Sequence, residues 1–156
     1  MPGIVKILII GLSTFFYVGY LPLVPGTFGS LAGLTIYLFL KNNPQLYLFI
    51  TAILVFLGYA ISGKAERIIG TKDARYIVID EVCGMLICFL FLPFNAKLVI
   101  AGFFLFRLLD TLKPFPGGRL ERYKGSVGIM SDDIVAGIYT NIILQVVFRL
   151  ASFKIS

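Results

Sequence analysis

Five of the chain's eight acidic residues fall in three short stretches, and two of its cations stand beside them. "IVIDEVCGM" carries Asp80 and Glu81, "FRLLDTLKPFPGG" carries Arg107, Asp110 and Lys113, and "SDDIVAGIYTN" carries Asp132 and Asp133. Each stretch lies in or against an apolar run. Ionised carboxylates beside hydrocarbon are costly unless paired or metal-bound, and crowding adds mutual repulsion. A divalent cation removes both costs, and hard oxygen ligands in this number suit Mg²⁺, which also recruits phosphate. Arg107 and Lys113 each stand three residues from Asp110, within about one helical turn, where they could grip phosphate oxygens. Adjacent helical residues point about 100° apart. One member of each acidic pair could therefore bind metal while the other supports it, with Asp80 and Asp133 favoured as ligands.

Absences narrow the chemistry. The chain has no histidine, which removes a Ser–His–Asp hydrolase and any phosphohistidine route. Phe89 stands where a Cys-x₅-Arg loop built on Cys83 would need arginine, and no G-x₄-G-K-[ST] pattern occurs. Cys83 and Cys88 lie in an apolar run and read as packing residues, not a disulfide framework. What remains is metal-assisted phosphoryl chemistry using carboxylates, water and a basic clamp. "VPGTFGS" adds backbone N–H groups, Thr27 and Ser30 at the head of an apolar segment, where a helix N-terminus favours an anion. Structural readings stand beside these. "GSLAG" (29–33) is equally a small-residue packing motif, Asp132 and Asp133 could cap a helix, and Arg107 with Asp110 could be a simple ion pair. A transporter of a cation or phosphate would also use buried acids, although these acids gather at one depth. A lipid-headgroup transferase would need the D-x₂-D-G-x₂-A-R pattern, which is missing.

The elements that must position these residues are helices in a membrane. Of 156 residues, 58% are hydrophobic and only 14% charged, and mean hydropathy is +0.94. A soluble domain this small could not cover that much apolar surface. Length favours a single domain over 1–156. Apolar segments run over 4–24, 31–40, 46–62, 76–92, 98–112 and 134–150. This predicts an all-α integral membrane protein, a compact bundle of about four to five transmembrane helices, with a first segment that spans, re-enters or lies at the interface. The stretches 63–75 and 113–131 hold eight basic residues between them, whereas the opposite loops hold only Lys41 and Lys97. That bias places the two long loops in the cytoplasm. Asp80, Glu81, Asp110, Asp132 and Asp133 then reach one cytoplasmic depth from three helices. The net charge of +6 suits anionic headgroups, not nucleic acid. A homo-oligomer is left open.

At these residues the chain resembles a known family. "GYLPLVPGTFGSLAGL" (19–34), "DARYIVIDEVCGMLI" (73–87) and "FRLLDTLKPFPGGRLERYKGSVGIMSDDIVAGIY" (106–139) are similar, in order and spacing, to the signature blocks of phosphatidylglycerophosphatase A, a family of bacterial membrane lipid phosphatases. The resemblance implies Mg²⁺-dependent removal of the terminal phosphate of phosphatidylglycerophosphate, giving phosphatidylglycerol at the cytoplasmic face of the inner membrane. It implies functional roles for Pro25, Gly26, Thr27, Gly29 and Ser30, for Asp80 and Glu81, for Arg107, Asp110, Lys113 and Pro114, and for Asp132 and Asp133. Ser131 departs from the pattern, since a more apolar residue is usual there.

Overall fold

The computed structural model describes residues 2–72 and 74–153, with side chains through residue 151. The described residues are helical, with no strand among them. In chain order the helices are α1 (Gly3–Ser13), α2 (Pro25–Leu40), α3 (Pro44–Ile69), α4 (Ile79–Cys88), α5 (Ala96–Leu112), the single turn α6 (Gly117–Leu120) and α7 (Ser126–Phe153). Local chemistry accounts for several boundaries. Pro25 and Pro44 open α2 and α3, at the position where proline's missing N–H is harmless. The Asn43 side chain accepts from Leu46 N, and the Asn95 side chain accepts from Lys97 N and Leu98 N; each satisfies donors that a helix start leaves free. Gly70, left-handed at φ 79°, ends α3.

The short helix α4 is the axis of the fold. Eight of its ten residues are buried, with α2, α3, α5 and α7 packed around it. Val82, Met85, Leu86, Cys88 and Phe89 form one core with Tyr37, Tyr47, Val99, Phe106, Ala136 and Leu144. Ile79 and Cys83 join a second core with Ile61, Ala65, Ile129 and Met130. Glycine sets the distance between α4 and α7. A Cβ added to Gly137 would fall 2.5 Å from Gly84 O, and one added to Gly84 would fall 2.7 Å from Asp133 O. The two backbones touch at the level of the last acidic pair. This is the close approach that the small residues of "DDIVAG" and "EVCG" permit.

Several segments differ from the sequence expectation. The 4–24 segment is not one helix. It stops at Ser13, and Phe15, Phe16 and Tyr17 all take positive φ before a 3₁₀ turn at Val18–Tyr20. The eleven residues of α1 reach only about 16 Å, well short of a ~30 Å hydrocarbon core. The expected helix at 76–92 contracts to Ile79–Cys88, and the one expected at 31–40 begins earlier, at Pro25. Lys64 and Arg67, assigned to a loop, lie inside α3. Among the described residues two helices, α3 and α7, are long and apolar enough to cross a membrane by length and composition, and α1 and α2 are shorter apolar helices. Apolar side chains stay exposed on the outer faces of α5 (Ile100, Phe104, Leu108) and α7 (Ile142, Val146, Leu150).

Candidate active site

The last helix carries its acids well inside the rod. Because α7 begins at Ser126, Asp132 and Asp133 lie almost two turns beyond its start and cap nothing; the capping reading fails. Both are buried, at 8% and 4% exposure, as is Asp80 at 6%. Asp80 and Glu81 occupy the first turn of α4, and Asp110 the last turn of α5. One carboxylate oxygen from each of Asp80, Glu81 and Asp133 lies within 4.8 Å of the others, and the same holds for Asp110, Asp132 and Asp133. The structure thus brings together all five acids singled out in the sequence, in two trios that share Asp133. Asp80 Oδ1, Glu81 Oε2, Asp132 Oδ1 and Asp133 Oδ1 are buried without a hydrogen-bond partner among the described residues. Buried polar atoms in folded proteins ordinarily find partners. Four orphaned carboxylate oxygens within these trios belong to a donor set that fits a hard divalent cation.

Two cations border the cluster. Arg107 Nη1 donates to Asp110 Oδ2 at 2.8 Å and approaches Ser30 Oγ at 3.4 Å. Lys113 Nζ lies 3.0 Å from Asp132 Oδ2 and 2.5 Å from Glu121 Oε1. Burial pulls the Lys113 pKa down, but the hydrogen bonds and charges of Glu121 and Asp132 outweigh it and hold the ammonium above the usual lysine value. A left-handed Lys113, at φ 47°, turns the chain out of α5 toward α6. Tyr139 Oη on α7 then anchors the turn by donating to Phe115 O at 2.7 Å.

The "PGTFGS" stretch forms the first six residues of α2. A Cβ at Gly26 would fall 2.5 Å from Glu81 Oε1 and 3.4 Å from Arg107 Nη1, so the helix start sits directly on the site. Thr27 N and Phe28 N are already satisfied by Val24 O, which leaves the Gly26 amide without a backbone acceptor among the described residues. Pro25 and Thr27 lie half-buried in the same turn. Ser30 Oγ donates to Gly26 O at 3.0 Å, bracing the turn. Gly29 packs on α4: a Cβ there would fall 2.9 Å from Val78 Cβ, as the small-residue reading of "GSLAG" expected. Pro114 follows Lys113, and its carbonyl accepts from Gly117 N at 2.7 Å.

One participant escaped sequence reasoning. Glu121 holds Lys113 from eight residues away; its only signal was an acid in a basic loop. Ser131, the departure from the family pattern, lies 3.1 Å from Tyr59 Oη with hydroxyl to hydroxyl, joining α7 to α3. The same helices meet again where Gly63 N donates to Ser126 Oγ and Gly125 N to Glu66 Oε2. These bonds gather the two basic stretches at the end of the molecule that holds the acids.

Comparisons with known proteins show the family of the chain. The family model described as phosphatidylglycerophosphatase A matches residues 11–148. An Escherichia coli phosphatidylglycerophosphatase A is 40% identical over 123 residues, covering 77% of this chain and 72% of that protein. The Haemophilus influenzae protein of the same name is 36% identical over 124 residues, covering 77% and 76%. A Bacteroides thetaiotaomicron protein, named provisionally as a phosphatidylinositol-3-phosphatase, is 37% identical over 155 residues, covering 93% and 94%. No solved structure gives a significant match. The chain belongs to the phosphatidylglycerophosphatase A family and is an enzyme of the phosphatase class.

Proposed function

We propose that the protein hydrolyses the terminal phosphate monoester of phosphatidylglycerophosphate to phosphatidylglycerol, with Mg²⁺, as a single membrane-embedded phosphatase domain of a bacterial inner membrane. One observation carries the reading: five acids from three helices meet in a buried cluster with four unpartnered oxygens, bordered by two cations and a helix N-terminus. Metal-assisted phosphoryl transfer uses every part of that combination. The family description and two of the relatives supply the lipid. The long apolar helices α3 and α7 and the exposed apolar faces support the membrane. The basic residues gathered beside the acids support a cytoplasmic site.

Asp80, Glu81, Asp110, Asp132 and Asp133 would hold the metal, which supplies charge neutralisation on the phosphoryl oxygens and an acidified water. Arg107 and Lys113 bind the remaining phosphate oxygens as charge-assisted donors. The Gly26 amide at the start of α2 donates to the same group, aided by the helix dipole. Water forms the new P–O bond, and the bond from phosphorus to the headgroup oxygen breaks. A carboxylate oxygen of the cluster that faces away from the metal would accept the proton lost by that water and return it to the departing oxygen, so that the headgroup leaves as the alcohol. Burial of the cluster excludes bulk water and strengthens each of these interactions.

Phosphate release from phosphatidylglycerophosphate in mixed micelles, with Mg²⁺ and with EDTA, tests the reading. Release that needs Mg²⁺ is expected; metal-independent release would overturn the cofactor. The same assay with phosphatidylinositol 3-phosphate uses the other lipid named among the relatives. Faster turnover of that lipid would overturn the substrate and keep the chemistry.

A further inference from the structure

We propose that the carboxylates form two unequal cation positions that share Asp133. A resident ion sits among Asp80, Glu81 and Asp133, and a second ion settles among Asp110, Asp132 and Asp133 only together with a phosphate group. The proposal rests on the metal-dependent reading above and adds the number, order and coupling of the ions.

The two trios are alike in reach, each with its oxygens within 4.8 Å, but not in charge. Among the described residues, no ion pair joins a cationic side chain to Asp80, Glu81 or Asp133. All three carry an unpartnered buried oxygen, and Asp80 and Asp133 are more than nine-tenths buried. Three carboxylates without an ion pair of their own, with only the more distant charge of Arg107 acting on Glu81 and Asp133, demand a cation in a dry site, so this position fills first and most tightly. In the other trio Arg107 already holds Asp110 at 2.8 Å and Lys113 already holds Asp132 at 3.0 Å. An arriving cation must compete with both and is repelled by both.

A phosphate dianion changes that balance. It draws the Arg107 and Lys113 donors toward its own oxygens, frees the two carboxylates, and adds oxygens to the second position. Lys113 loses little by letting Asp132 go, because Glu121 holds it from the other side. Phosphate and the second ion therefore bind cooperatively, and each raises the other's affinity by the same factor.

Mn²⁺ serves as the probe, read by equilibrium dialysis and electron paramagnetic resonance on the full chain in detergent, with and without inorganic phosphate. One isolated Mn²⁺ per chain is expected without phosphate. With phosphate, a second ion and the spectrum of a spin-coupled pair are expected. Asp110→Asn should abolish the second ion and leave the first, whereas Asp80→Asn should weaken the first. Lys113→Gln should tighten the second ion about tenfold in the absence of phosphate, by removing its competitor. A single Mn²⁺ at saturation in wild-type protein with phosphate present would overturn the proposal, with no variant needed. Two ions indifferent to phosphate and to Asp110→Asn would overturn the coupling. A protein that binds one ion yet hydrolyses the lipid in Mg²⁺ overturns only the pair. One that binds the coupled pair but releases no phosphate overturns the function instead.

Discussion

At its Cys88 end, α4 buries polar groups that find partners. Tyr47 Oη donates to Leu86 O, Cys88 Sγ to Gly84 O, and Asn141 Nδ2 donates to both Cys88 O and Leu90 O at 2.9 Å. Tyr37 stacks on Phe89 with ring centroids 4.5 Å apart. At the Ile79 end the same helix buries Asp80 and Glu81 against Asp133 and leaves an oxygen of each unpartnered. The one orphan near the Cys88 end among the described residues, Thr140 Oγ1, is a neutral hydroxyl and far cheaper to bury than a carboxylate. Ten residues thus hold a satisfied end that stabilises the fold and an unsatisfied end that the fold must sustain. The buried acids and the satisfied core stand about 12 Å apart on one short rod.

Substitutions at the two ends should separate these roles. The largest effect is expected at the unsatisfied end. Asp133→Asn should cut phosphate release by about a thousandfold or more, on the scale set by deleting a group central to charge stabilisation. It should leave thermal unfolding in EDTA unchanged or shifted upward, since removing one like charge relieves repulsion. Full activity in this variant, or a large fall in unfolding temperature in EDTA, would break the comparison.

Gly26→Ala tests whether the start of α2 belongs to the same end. Its new methyl would press on Glu81 Oε1, and activity should fall by about a hundredfold, as small misplacements in a site do. Binding of the first Mn²⁺ should weaken with it. Unaltered kinetics would remove the helix start from the site.

Smaller effects belong to the satisfied end, and they should appear in stability. Asn141→Leu strips the carbonyls of Cys88 and Leu90 of their donor and should cost about 2 kcal/mol, seen in chemical or thermal unfolding in detergent. Tyr47→Phe removes one hydrogen bond and should cost about 1 kcal/mol. Both should keep activity per folded molecule within a few-fold of wild type. A hundredfold loss in either would mean that the two ends are coupled through α4.

Much of the site was legible before any coordinates. Acids are scarce and apolar residues abundant, so an acid inside an apolar run stands out, and placing helices between loops brings such acids to a common depth. Asp80, Glu81, Asp110, Asp132 and Asp133 were all found this way, with Arg107 and Lys113 beside them. The helix boundaries were read less well. An apolar run does not reveal a left-handed break such as Phe15–Tyr17, nor how far a helix continues into polar sequence, as α3 does past Ser62 and α7 does ahead of Ile134. Those extents are set by tertiary contacts, among them Gly63 N on Ser126 Oγ and Gly125 N on Glu66 Oε2.

The sequence by itself set the chemical groups at hand: hard oxygen donors, two strong cations and no histidine, in a chain rich in apolar residues. Only the tertiary structure decided how the charges divide. Asp133 became the shared member because Gly84 and Gly137 let α7 touch α4 at that height. Arg107 and Lys113 came to form their ion pairs with one trio and none with the other because both approach from the end of α5. Pairings across helices follow from the packing of backbones, and no spacing within one helix records them.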